Sequence, residues 1–151
     1  MSDDSKTIQH KPMSARRRAR AAAVQGLYQM MVDERALDDI YQHCLEHHAH
    51  ERCDRDYFKV LLYGTVEQIS LLDELMLTAL DRDIQSLTPV ELSLLRLAMY
   101  ELKFRIDVPA PVVINEALEL AKIFGTEEGY RYINAVLDAL LSELRPVSPR
   151  S

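Results

Sequence analysis

Glycine is scarce in this chain, with 4 in 151 residues, and tryptophan is absent. Proline occurs six times and cysteine twice. So few turn-formers argue against a β-meander, which needs a tight turn every few residues. Two cysteines supply no disulfide framework and fit a reducing compartment, so a cytoplasmic location is expected. No apolar run approaches the ~18 residues that span a bilayer, and no membrane partner is expected. The N-terminus lacks the basic-then-apolar layout of a secretory signal. Glycine-rich phosphate loops, a nucleophile elbow and an HExxH pair are all missing. Asp81 and Asp83 stand close together, but a capping or loop role suits them better than catalysis. The sequence therefore reads as a non-enzyme with no cofactor.

Charge is present and uneven. Residues 1–20 hold six Lys/Arg against two Asp, a net of +4, while the whole chain is −6, so the remainder carries −10. A basic arm on an acidic body favours a local anion contact plus a second partner that tolerates acid. Arg16, Arg17, Arg18 and Arg20 stand at the start of the first predicted helix. A helix N-terminus carries about half a positive charge, so cations there lose on the order of 0.3–1 kcal/mol. Folding alone does not account for such a cluster, whereas a nucleic-acid backbone does.

The periodicity predicts an all-α bundle of six or seven helices, with no strand and no solenoid repeat. Residues 1–13 read as a disordered basic arm, 14–146 as one helical domain, and 147–151 as a disordered tail. Ser14 is placed to cap a helix over 14–32, whose small face is Ala19, Ala23, Gly26, Leu27 and Met30. Arg17, Ala21, Val24 and Tyr28 form a neighbouring stripe. A second helix is expected over 36–48, and a long third one over 54–80, with a bend at Gly64–Thr65. Thr88-Pro89-Val90-Glu91 carries a cap, a first-turn proline and a capping-box glutamate. The helix that follows is apolar most of the way round, with a polar arc of Ser93, Arg96, Tyr100 and Lys103, and is the expected centre of the bundle. Pro111 opens the next helix and Gly125 stops it. Thr126 caps the last, which ends at Arg145-Pro146.

Several residues stand out as candidates beyond the arginines. Tyr28 could stack on an unpaired base or simply line the core edge. The corner Phe124-Gly125-Thr126-Glu127-Glu128 is either a pair of helix caps or a ligand-facing turn. Its carboxylates oppose a phosphate and suit base-edge hydrogen bonds better. In the stretch His43 to Cys53, His43/His47 and Cys44/His48 have i, i+4 spacing. The two-pair ligand spacing of a standard zinc site is missing, so no metal is assigned.

Taken jointly, several segments resemble the NusB family of transcription antitermination factors. They are Ala15-Arg16-Arg17-Arg18-Ala19-Arg20 with Ala23-Val24-Gln25-Gly26-Leu27-Tyr28, then Tyr57-Phe58, Val90-Glu91 and Leu95 to Leu102. Asp107-Val108-Pro109, Ile114 to Gly125 and Tyr132 to Asp138 complete the pattern. The resemblance implies a NusB-like helical fold that binds boxA single-stranded RNA. It also implies a partner in NusE, a small-subunit ribosomal protein, and loading onto elongating RNA polymerase with other Nus factors, notably on ribosomal RNA operons. By position, Arg16, Arg17, Arg18, Arg20 and Tyr28 would face RNA. Lys122, Phe124, Glu127 and Glu128 would lie near it, and Glu91 toward NusE. Asn115 and Glu116 would be structural. A homodimer that hides the arginine surface is a further state the resemblance allows. Replacing Arg16 and Arg20 by Ala is then expected to weaken RNA binding and leave the fold intact. Two other readings are an accessory domain like those ahead of RNA cytosine methyltransferases, and a pure protein-interaction module.

Overall fold

Local signals set most of the helix boundaries. In the computed structural model, which describes residues 13–49, 52–80, 86–125 and 127–146, Ser14 accepts from the Arg17 amide at 3.0 Å and starts α1 (Ala15–Val32). Asp54 does the same for α3 (Arg55–Glu67) through the Tyr57 amide. Thr88 and Glu91 form the reciprocal capping box of α5 (Pro89–Phe104), with bonds of 3.1 and 3.0 Å. Each such cap satisfies amides that the first helical turn leaves open. The remaining elements are α2 (Leu37–His47), α4 (Ile69–Met76), α6 (Ala110–Phe124) and α7 (Glu127–Leu144). Among the described residues there is no strand. Among the same residues no helix is long and apolar enough to cross a membrane.

Helix α5 is the axis of the bundle and packs against α1, α3, α4, α6 and α7. Ten of its residues are buried, among them Leu94, Leu95, Met99 and Leu102. Each such side chain contributes about 1.5–3 kcal/mol by leaving water. The predicted polar arc is only partly polar in place. Ser93 is buried and donates to the Pro89 carbonyl at 2.8 Å. Tyr100 is buried and stacks on Phe104, with centroids 5.3 Å apart. Arg96 makes a two-pronged ion pair with Asp73 of α4, at 2.9 and 2.7 Å.

Helix α1 uses its small face as expected. A Cβ on Gly26 would stand 2.9 Å from Leu62 Cδ1, so glycine is what lets α1 and α3 close up. The expected long third helix is two helices. Its break falls at Gln68, whose amide bonds to both the Gly64 and Thr65 carbonyls. Tertiary contacts flank the break. The Tyr100 ring lies against Gly64, and Asp73 must reach Arg96 on α5. Gly125 stops α6 in an extended conformation, with its amide on the Ala121 carbonyl at 2.8 Å.

Arg145 closes the other end of α5. Its guanidinium donates to the carbonyls of Leu102, Val108, Glu101 and Arg105 at 2.9, 2.7, 3.1 and 3.4 Å. The carbonyls left open at a helix C-terminus are thereby satisfied. The expectations for the basic arm at 1–12, for the tail at 147–151 and for Thr126 as a cap lie outside the described residues.

Candidate nucleic-acid interface

The four arginines diverge as the helical periodicity requires. Arg20 turns inward and is 4% exposed. It grips Glu101 of α5 with two parallel bonds of 2.8 and 2.9 Å. The Tyr57 hydroxyl donates to the same carboxylate, so Glu101 receives three donors in the core. Burial works against the Arg20 charge, but the Glu101 hydrogen bonds and charge outweigh it and hold the guanidinium above its ordinary pKa. Burial, reinforced by the bond to Glu101, pushes the Tyr57 phenol well up.

Arg17 turns toward α6 and pairs with both oxygens of Glu116 at 2.8 Å. The Arg17 hydrogen bonds keep the Glu116 carboxyl below its ordinary value, against burial and with help from the charges of Arg17 and Arg20. Glu119, one turn on, also acts on the Arg17 charge. Lys122 stands 3.5 Å from Glu119 and 5.5 Å from the Tyr130 ring centroid. Arg17, Glu116, Glu119 and Lys122 thus form one polar strip across α1 and α6.

Arg16 and Arg18 are less committed. The Arg16 side chain is 44% exposed, and its Nε lies 3.4 Å from Asp54. Its guanidinium carbon sits 3.7 Å above the centre of the Tyr57 ring, an aromatic seat that suits arginine. Arg18 is half-buried, and its Nε has no hydrogen-bond partner among the described residues.

The cluster is therefore only partly a surplus of charge. Glu101 and Glu116 account for Arg20 and Arg17 within the fold, which corrects the expectation that folding alone leaves all four unexplained. Arg20→Ala is likewise a core substitution, expected to lower stability as well as to change the surface. Glu116 is structural, as the resemblance implied, while Asn115 is exposed at the surface.

The other candidates fall into two places. Tyr28 is 38% exposed on α1, eleven residues or about 16 Å along the helix from Arg17. Phe124 is half-buried against the core at the end of α6, and Glu128 is exposed at the start of α7. The side chain of Glu127 lies outside the described residues. Glu91 is at the opposite end of α5 from Glu101, about 15 Å away, with a carboxylate oxygen spent on the capping box. Cys44 is buried against Gly26, and burial raises its thiol to about 11. Its burial separates it from the rings of His43 and His47, which lie tilted at 45° with centroids 4.3 Å apart. Among the described residues, no three metal-binding side chains gather.

Glu101 and Tyr57, which hold Arg20 in place, are the residues beneath this candidate surface that sequence reasoning passed over. The available signal was Glu101 set between Tyr100 and Leu102 in the buried part of α5, where a carboxylate demands a partner without naming it.

An all-helical bundle with a cationic, partly self-paired first helix is the class of protein that this fold and surface define. The chain belongs to the NusB family, whose sequence profile matches residues 17–142. It is 48% identical over 130 residues to the transcription antitermination protein NusB of Coxiella burnetii (strain Dugway 5J108-111), covering 86% of this chain and 94% of that one. It is 46% identical over 132 residues to that of Alcanivorax borkumensis, covering 87% and 88%. Among solved structures it is similar to NusB of T. maritima, with 31% identity, a TM-score of 0.78, and 89% and 96% coverage. A second similar chain comes from a crystal structure of the antitermination factors NusB and NusE in complex with dsRNA. There the identity is 25%, the TM-score 0.78, and the coverage 84% and 96%.

Proposed function

We propose that this protein is a transcription antitermination factor that acts as a non-catalytic adaptor between RNA and protein. Its RNA is of the boxA type and single-stranded, and its protein partner is the ribosomal protein NusE. Together they modify elongating RNA polymerase, with other Nus factors, notably on ribosomal RNA operons in the cytoplasm. The similar structure of NusB and NusE in complex with dsRNA supports the part of this reading that joins an RNA to NusE. The observation that carries it is the state of Arg16 and Arg18. One is exposed on an aromatic seat, and the other has a buried donor with no acceptor among the described residues. Arg16, Arg17, Arg18 and Lys122 supply the phosphate contacts. Tyr28 and Phe124 supply apolar contact to unpaired bases, beside Glu127 and Glu128. Arg20 is the brace beneath them, and Glu91 faces NusE.

A gel-shift with a short boxA-like RNA, with and without NusE, tests the reading. The Arg16→Ala, Arg18→Ala double variant should weaken RNA binding about tenfold or more and keep the circular dichroism of the parent. Unchanged affinity in that variant would sink the arginine assignment. Recovery of a ribosomal protein with no RNA dependence at all would favour a pure protein-interaction module instead. Methyl transfer from S-adenosylmethionine by the isolated chain would revive the accessory-domain reading.

A further inference from the structure

A cleft of about 320 Å³ opens beside the arginine surface, lined by Arg16, Asp54, Asp56, Tyr57, Val60 and Arg105. It forms where the start of α1, the start of α3 and the loop after α5 meet. The Asp54 amide bonds to the Ala15 carbonyl at 3.1 Å and stitches two of its walls together. Arg145 fixes the third by holding the Arg105 and Val108 carbonyls. The volume is at the low end of small-ligand sites, which run about 300–1,000 Å³. It fits one nucleotide and not a duplex.

The lining selects the ligand. Asp54 and Asp56 oppose a bare phosphate, and Arg16 and Arg105 oppose a bare cation. An unpaired base, with an apolar face and a polar edge, suits all six residues. Arg16 rests one face on Tyr57 at 3.7 Å and remains 44% exposed, so a base can continue the stack on its outer side. Arg105 lies 5.5 Å from the same ring, and its closest carboxylate oxygen, on Asp107, is 3.8 Å away. That is a long ion pair beyond hydrogen-bond reach, and the Arg105 Nε has no hydrogen-bond partner among the described residues.

The two carboxylates differ. Asp54 is committed, accepting from the Tyr57 amide and from Arg16. Asp56 is exposed, and its carboxylate has no hydrogen-bond or ion-pair partner among the described residues. A carboxylate offers two adjacent acceptors. Of the four RNA bases, only guanine presents two adjacent donors on its pairing edge, the imino and amino N–H groups.

The geometry points to a guanine-selective subsite in this cleft. Asp56 reads the guanine edge, Arg16 stacks on the base, and Arg105 takes the adjoining phosphate. The inference rests on the RNA-binding reading and adds a base preference to it.

Fluorescence anisotropy with the full-length chain and three 12-nucleotide RNAs tests it. One RNA is oligouridine, one carries a single central guanosine, and one carries inosine there, which lacks the amino group. The parent should bind the guanosine RNA about tenfold tighter than oligouridine, with inosine in between. Asp56→Asn, an exposed substitution that keeps the circular dichroism, should erase the difference between guanosine and inosine and leave oligouridine binding within twofold. Arg105→Ala should lower affinity for all three RNAs. A parent that binds all three RNAs alike, or an Asp56→Asn variant that still prefers guanosine over inosine, overturns the subsite alone. A parent that binds none of them overturns the RNA reading and the subsite with it.

Discussion

Arg20 and Glu101 sit 81 positions apart in the chain and meet in the core with Tyr57 as a third member. Removing one partner leaves the other charge buried and alone, at a typical cost of about 3–5 kcal/mol. Arg20→Ala should therefore lower urea-unfolding stability by about that much. Replacing both residues, as Arg20→Met with Glu101→Leu, should cost much less, because no charge is left stranded. Equal losses in the single and double variants would show that packing, not the stranded charge, sets the cost. Glu116 behaves differently because its partner is nearer the surface. Its depressed pKa means that its contribution to stability is full above its ordinary 4.5 and is lost as pH falls below that value through the folded-state value. Glu116→Gln should flatten this acid limb of the stability profile. The same change frees Arg17 for phosphate, so RNA affinity at neutral pH should rise about threefold, as read by filter binding. None of these pairings was legible in the sequence. Contacts across 81 and 99 positions leave no local spacing to read, and arginines look alike until the helix phase and the opposing carboxylates are known.

Helices, by contrast, announce their own ends. Ser14, Asp54 and the Thr88–Glu91 box act on amides within three residues of themselves, so their roles could be read from adjacency alone. The apolar content of α5 likewise marks it as the central element from the sequence alone. A bend at Gly64–Thr65 could be read this way, and the break comes at Gln68, whose amide bonds to both of those carbonyls, but the contacts with Tyr100 and Arg96 on another helix could not. Gly64 makes the point testable. A Cβ there would lie 2.2 Å from the Tyr100 hydroxyl oxygen and 2.3 Å from its Cζ. Alanine would gain about 1 kcal/mol of helix propensity over glycine. Expelling the ring from its stack on Phe104 should outweigh that gain, for a net loss of about 1–2 kcal/mol. The melting temperature of Gly64→Ala should fall. In a Tyr100→Ala background the same substitution should be neutral or stabilising. A gain in the parent background would mean that the ring moves aside freely.

The whole molecule is an acidic body with a small cationic face, and the balance sets how it meets RNA. About four phosphate contacts on a single strand predict a slope near −3 for log affinity against log salt. A slope beyond about −6 would require cationic surface that the −10 body does not offer. Arg145 brings a different consequence at this scale. One guanidinium, one residue past the end of α7, fastens four carbonyls of a neighbouring helix and its exit loop. The boundary of the working domain is thus drawn by a side chain and not by the last helical turn. A shortened protein ending at Arg145 keeps that clasp, whereas one ending at Leu144 forfeits it and should exchange its amides around residues 105–108 markedly faster.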